Sequence, residues 1–221
     1  PLPSLNNLPP FFPDPSNFSE NPDFAMYRPL VLVAHALNYA CGAYRPWGYQ
    51  LLNLVIHALA SLLVLALLRQ FHLSPLASLL GALLFGLHPA QTETINYISS
   101  RSELLAAFFF LLALRFSMQR AGMPSRLIGI GVAYAGGLLS KSIVIVFPAV
   151  LFIHDYLARL RKTWRQAVAT YLLLTAISAA YLVVVWKFVY KASLGAPVRG
   201  LQEQLWTQSK AFVFYLKLLS L

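Results

Sequence analysis

The chain has 221 residues, 58% of them hydrophobic and 11% charged, with a formal net charge of +10 and a mean hydropathy of +0.64. A soluble domain carries about 25% charged residues, so the composition excludes an ordinary water-soluble enzyme and points to an integral membrane protein. The basicity does not mark a nucleic-acid binder, because the cations sit in short clusters between apolar runs, as in the loops of polytopic membrane proteins.

Prolines, Asn, Ser and Asp recur through residues 1–27, as in "LPPFFPDPSNFSENPDF", which rules out a continuous helix there. Phe11, Phe12, Phe18 and Phe24 are too many aromatics for an ordinary disordered tail. An ordered, extracytoplasmic proline-rich loop on the membrane surface is expected. Residues 28–43 are apolar but short, and suit a juxtamembrane or re-entrant helix. Residues 49–71 are long enough to span, at about 34 Å as a helix. Shorter apolar helices are expected over 73–88 and 102–119. Residues 126–140, "RLIGIGVAYAGGLLS", are rich in the small residues that favour close helix packing in lipid. They run straight into 142–158, so a tight hairpin is expected. Residues 166–188 form another full span, and 205–221 read as the start of one more. The expected fold is all-α and polytopic, with about six transmembrane helices plus a partial one in a domain covering 28–221. The start at Pro1 and the end at Leu221 inside an apolar run read as an internal fragment.

The loops set the orientation. Arg69, then Arg115, Arg120 and Arg126, then Arg159, Arg161, Lys162 and Arg165 mark one side as cytoplasmic by the positive-inside rule. The other side receives residues 1–48, the polar island 89–101, the turn "SKS" at 140–142 and the loop 189–204.

The island "LHPAQTETINYISSRSELL" holds most of the chemistry. Ser100 and Glu103 fit a capping box before an apolar run. Pro89 suits a helix boundary, and Glu93 and Arg101 are able to pair at the surface. Against these structural readings stands the cost of placing ionisable groups at a membrane boundary, which makes them functional candidates. Arg101 and Lys141 fall on the same side at similar depth. Arg suits bidentate phosphate binding and Lys acts as a point charge. Both read as starts of helices, where free N–H groups attract anions. Arg28 is a third candidate, or else an ordinary snorkelling side chain. A lipid phosphate on the extracytoplasmic face is the ligand this arrangement fits.

His88 and Glu93 are candidates for acid–base work or sugar binding. His35, His57 and His154 do not form a metal pattern, so no metal and no cofactor are expected. Asp155 is expected to pair at the cytoplasmic end, and Cys41 to be a small apolar core residue. Asn17-Phe18-Ser19 is a formal glycosylation sequon.

Three stretches carry a resemblance: "MYRPLVLVAHALNYACGAYRPWGYQLLNLVIHALASLLV", "LLFGLHPAQTETINYISSRSELLAAFFFLLAL" and "GGLLSKSIVIVFPAVLFIHDYL". They resemble consecutive blocks of a family of polytopic membrane proteins with tetratricopeptide repeats after the spans, which includes the animal transmembrane O-mannosyltransferases and many bacterial members. The block His88-Pro89-x-x-Thr92-Glu93…Arg101-x-Glu103-Leu-Leu is the specific part, and Tyr27-Arg28-Pro29-Leu30 is moderately so. The resemblance runs from about Leu8 to Leu219 and implies a C-type glycosyltransferase (GT-C) fold. It further implies a polyprenyl-phosphate-linked sugar as donor, mannose-like, and protein hydroxyls as acceptor, with transfer on the extracytoplasmic face. The family's catalytic carboxylate follows its first span and would lie upstream of Pro1, so Asp14, Glu20 and Asp23 are not assigned that role. "SKS" at 140–142 departs from the family's Ser-Lys-Glu. The expected partners are the bilayer, the polyprenyl-phosphate sugar and an acceptor protein, with no nucleic acid. The fragment alone is expected to lack transferase activity. A bacterial inner membrane is the first expectation for location, with the endoplasmic reticulum as the alternative. Two rival readings are a non-catalytic member that binds lipid or a partner, and a transporter.

Overall fold

The structure, a computed structural model, describes residues 27–42, 45–119, 122–157, 164–186 and 200–219. All regular structure among these residues is helical. The expected proline-rich loop lies outside them, apart from Tyr27.

Helix α1 is Pro29–Gly42 and α2 is Pro46–Gln70. Pro46 opens α2, where a missing N–H costs nothing. α3, Pro75–Leu87, opens on Pro75 with Ser74 as its cap, the Ser74 hydroxyl accepting from Ala77 N–H. The island, expected as a loop, instead holds a six-residue helix α4, Gln91–Asn96, and a 3-10 turn over Ile98–Ser100. α5 is Arg101–Ser117 and α6 is Met123–Ser140. A 3-10 segment, Ser142–Val146, leads into α7, Phe147–Leu157. α8 is Trp164–Val185 and α9 is Leu201–Leu219.

Side-chain pairings give the direction of each helix. Asn53 meets Arg101 at the start of α2 and α5, and Gln70 meets Arg115 and Met118 at their ends, so these two run parallel. α6 returns antiparallel along α5, with Gly136 against Phe109 and Gly129 against Phe116. α3 returns along α2, with His57 Nε2 donating to Gly86 O at 3.0 Å. α7 carries the chain back, since Asp155 near its end accepts from Tyr171 in the second turn of α8. α8 then runs beside α6. One end of the bundle therefore gathers the starts of α2 and α5 with the end of α6. The other gathers Arg69, Arg115 and Arg126.

The main core lies among α5, α6, α7 and α8, around Ala113, Ile130, Tyr134, Leu138, Phe147, Leu151 and Leu174. Phe147 is fully buried against Phe110 and Tyr134, with ring centroids 5.2 and 5.6 Å apart. A second cluster of Val31, Ile56, Leu104 and Leu105 joins α1, α2 and α5. The outward face of α3 is a row of exposed leucines that includes Leu76, Leu84 and Leu87, an apolar surface of the kind that faces lipid.

Two described helices are long and apolar enough to cross a membrane, α2 and α8. α1, α3 and the segment Ser142–Leu157 are apolar but shorter. With 13 residues, α3 rises about 20 Å, against a hydrocarbon core of about 30 Å. The expectation of about six spans thus finds two that meet the length by themselves. The partial span expected over 205–221 falls on α9, which carries Glu203, Lys210 and Lys217 and is not one of the two described helices that meet the length and hydropathy of a span. Cys41 is also corrected. It is exposed on the last turn of α1, beyond the region where α1 packs on α5 and α6.

Candidate functional site

The first three residues of α5 organise one end of the bundle. Successive residues of a helix point about 100° apart, so Arg101, Ser102 and Glu103 fan out to three different neighbours.

Arg101 turns inward and is fully buried. Its Nε donates to Asn53 Oδ1 at 3.0 Å, Nη1 to Ala34 O at 3.2 Å and to His35 Nδ1 at 3.3 Å, and Nη2 to Tyr49 O at 3.0 Å. The guanidinium carbon lies 5.4 Å from the centre of the Tyr49 ring. Every one of these partners is neutral, and they come from α1 and α2. Asn53, itself fully buried, donates onward to Ile95 O at 3.1 Å and Tyr97 O at 3.3 Å. Arg101 therefore ties α1, α2, the island and α5 together from inside. The expected surface pairing with Glu93 does not form, and the geometry turns Arg101 away from a phosphate at the surface.

Ser102 accepts from Arg28 Nη1 at 3.1 Å. Glu103 forms an ion pair with Lys141 Nζ. Both members are partly exposed, so the pair contributes about 0–1 kcal/mol to stability and is open to exchange with another anion. Its use of Glu103 also settles the capping box. Ser100 belongs to the preceding 3-10 turn, with φ −77° and ψ 1°, and makes no side-chain cap hydrogen bond. Lys141 stands at both a helix end and a helix start: its N–H bonds to Gly137 O at the C-terminus of α6, and it is the N-cap residue of the 3-10 segment Ser142–Val146 that leads into α7.

Arg28 and Lys141 thus converge on adjacent residues of one helix turn. Beside them, α6 and α8 enclose an apolar groove of about 240 Å³ lined by Tyr27, Leu138, Ile177, Ala180, Tyr181 and Val184. The Tyr27 and Tyr181 rings lie 6.3 Å apart at its polar end, and the Tyr181 hydroxyl faces Arg28 and Ser142. An apolar groove whose Tyr181 lies near Arg28 and Ser142 suits the apolar part of an amphiphile with an anionic head.

His88 and Glu93 stand apart from this cluster. His88 Nδ1 accepts from Ala90 N–H at 3.1 Å and shapes the turn before α4. Glu93 is exposed on α4. Among the described residues no hydrogen bond or ion pair links either to Arg28 or Lys141. Asp155 accepts from Tyr171 OH at 2.9 Å and lies 3.4 Å from His154 Nδ1. Sequence reasoning missed Ser102, Asn53 and Tyr49. A lone Asn within the apolar run "LLNLVIHALASLL" was the available signal.

His35, on a helix too short to span, must be neutral to accept from Arg101. Burial first, and the Arg101 charge second, lower it to about 4. The unfolded chain takes up this proton near pH 6.5 and the folded one does not. Stability is therefore full above about pH 6.5 and falls as the pH drops toward 4, by about 3 kcal/mol. Thermal unfolding between pH 7.5 and 4.5 is expected to show that slope, and His35→Gln to flatten it. An identical slope in the variant would show that His35 is not the titrating group.

No protein-family model matches the chain, and no solved structure does. Curated relatives do. Protein O-mannosyl-transferase TMTC3 of Mus musculus is 41% identical over 95 residues, 43% of this chain and 10% of that protein. Protein O-mannosyl-transferase TMTC4 of Homo sapiens is 36% identical over 112 residues, 44% of this chain and 15% of that protein. Protein O-mannosyl-transferase Tmtc2 of Drosophila melanogaster is 33% identical over 138 residues, 58% of this chain and 15% of that protein. The matched segments thus span 10–15% of the length of these relatives. Over these segments the chain is accordingly a homologue of the TMTC protein O-mannosyl-transferases.

Proposed function

We propose that the chain forms the donor-binding part of a membrane glycosyltransferase that moves a mannose-like sugar from a polyprenyl phosphate to protein hydroxyls. The observation that carries this reading is the convergence of Arg28 and Lys141 on the first turn of α5, with an apolar groove between α6 and α8 reaching Tyr181 beside Arg28. The prenyl chain would lie in the groove and the phosphate between the two cations. When the acceptor hydroxyl attacks the anomeric carbon, the bond to the phosphate oxygen breaks and negative charge collects on the leaving phosphate. Arg28 and Lys141 are placed to stabilise it. The acceptor proton passes to a carboxylate, which the family resemblance locates upstream of Pro1. Arg101 acts at one remove, by fixing the turn that carries Ser102 and Glu103.

The passes of α2, α3, α5, α6, α7 and α8 along the bundle support a reading in which all six cross the bilayer, the shorter ones shielded by their neighbours. The donor end is then extracytoplasmic. The relatives named above come from animals, and the first expectation, a bacterial inner membrane, finds no support. The endoplasmic reticulum is the location that fits.

The test is binding of a short-chain polyprenyl phosphate to the full-length protein. Charge-assisted hydrogen bonds contribute about 1.5–3 kcal/mol, so Arg28→Gln and Lys141→Gln are each expected to weaken binding about tenfold or more. Glu103→Gln, which removes a competing anion, is expected to strengthen it severalfold. Unchanged affinity in all three folded variants would remove the donor site from this end of the bundle.

A further inference from the structure

The opposite end of the bundle holds a second buried guanidinium. Arg126 lies in the first turn of α6 and is only 7% exposed. Its Nη2 reaches Thr170 Oγ1 in α8 at 3.4 Å, and its buried Nε has no hydrogen-bond partner. No carboxylate lies within 4.0 Å of it among the described residues. The contrast with Arg101 is informative. Arg101 is just as buried and also lacks a carboxylate, but four neutral acceptors surround it and none of its donors is orphaned. An unpaired buried charge carries a penalty of several kcal/mol, and among the described residues Arg126 has only the Thr170 hydroxyl as a hydrogen-bond partner, the carboxylate of Asp155 at this end being engaged by Tyr171.

The surrounding backbone adds to the positive charge. Arg126 pairs with Thr170, and Tyr134 pairs with Ser178 at 2.7 Å. The constant offset means that α6 and α8 run parallel and in register. Their N-termini therefore lie at the same end, and each contributes a partial positive charge. Neither helix has an acidic residue in its first turn, and Gly122 before α6 has no side chain with which to cap it. Arg165 adds a further cation in the first turn of α8. This end also carries Trp164 and Tyr156, both 75% exposed, the aromatic types that settle at headgroup depth. The anion at hand at that depth is a lipid phosphate, whose oxygens match the fork of a guanidinium.

We propose that Arg126, between the N-terminal turns of α6 and α8, binds the phosphate of an anionic lipid headgroup in the leaflet opposite the donor site. The lipid stitches α6 to α8 at this end, as the core does along their length. The site is separate from the donor site and stands whether or not that reading holds.

The experiment titrates the full-length protein, carrying Lys141→Gln to silence the donor end, with dihexanoyl phosphatidic acid, dihexanoyl phosphatidylcholine and inorganic phosphate. Native mass spectrometry counts bound equivalents. One equivalent of phosphatidic acid is expected to bind in preference to phosphatidylcholine, with Arg126→Gln weakening it about tenfold or more and Arg126→Lys by less. Inorganic phosphate binding as tightly as phosphatidic acid would overturn the lipid assignment in favour of a soluble phosphate ligand. Undiminished phosphatidic acid binding by Arg126→Gln would overturn the site itself. If Arg126→Gln does not fold, the parent protein still decides: no preference for phosphatidic acid over phosphatidylcholine overturns the proposal.

Discussion

Replacing Arg101 with Ala is expected to destabilise the folded protein by about 1–3 kcal/mol for each buried acceptor that it leaves without a donor. The substitution leaves Asn53 Oδ1 and the carbonyls of Ala34 and Tyr49 without the donor they share. It also opens a void where a fully buried side chain stood. Arg101→Lys is expected to rescue little. An ammonium is a point charge, and a planar fork is what reaches both α1 and α2 at once. Thermal unfolding of the full-length protein in detergent checks this. A midpoint within a degree or two of the wild type would mean that α1, α2 and α5 are held together by their apolar contacts alone. The same experiment separates two roles that sequence motifs confuse. If Arg101 were a phosphate ligand at the surface, its loss would weaken donor binding and leave the melting point nearly unchanged.

Adding a methyl group at Gly129 or Gly136 is expected to cost about 1–3 kcal/mol at each position, the usual range for overpacking a filled interface. A Cβ at Gly129 would lie 2.6 Å from the ring of Phe116, and one at Gly136 would lie 2.8 Å from the ring of Phe109. The two glycines are seven residues apart, as are the two phenylalanines, so both pairs lie on one antiparallel seam between α5 and α6. This close approach is how small residues serve helix association in lipid, where apolar area alone gives no driving force. The check is a double-mutant cycle. Phe116→Leu should recover part of the loss from Gly129→Ala, with a coupling of about 0.5–3 kcal/mol. Strict additivity would show that the ring moves aside freely and that the seam is not tight.

The two predictions bear on the proposed donor site together. Arg101 fixes the start of α5 against α1 and α2, and the glycine seam fixes α6 against α5. Ser102 and Glu103 are on the first of these elements and Lys141 ends the second. The spacing of the two cations therefore depends on both features, although neither touches the groove.

How much of this was legible beforehand differs between levels of structure. The all-helical class and the helices matching α1, α2, α3, α5, α6 and α8 could be read from apolar run length, small residues and loop cations, with ends displaced by a few residues. These features are local, because a helix in an apolar environment satisfies its own backbone hydrogen bonds. α4 was missed because six residues with a single apolar one, Ile95, carry no periodicity, and its place depends on Asn53 holding it from another helix. The capping box at Ser100 and Glu103 had the right spacing, but the 3-10 turn before it denied Ser100 the cap geometry, and Lys141 claimed Glu103.

Apolar and helical character, the gathering of cations in short clusters and the resemblance of the specific motifs to the TMTC transferases are all legible in the residues alone. The sequence could not decide between Arg28, Arg101 and Lys141 as phosphate ligands, since an arginine at a membrane boundary reads the same whether it faces a lipid or the protein interior. Tertiary packing is what buries Arg101 against acceptors 48 to 67 residues away and leaves Arg126 buried without a partner for its Nε. The physical reason is that helix formation is governed by the nearest few residues, whereas the partner of a side chain is set by which distant segments pack beside it.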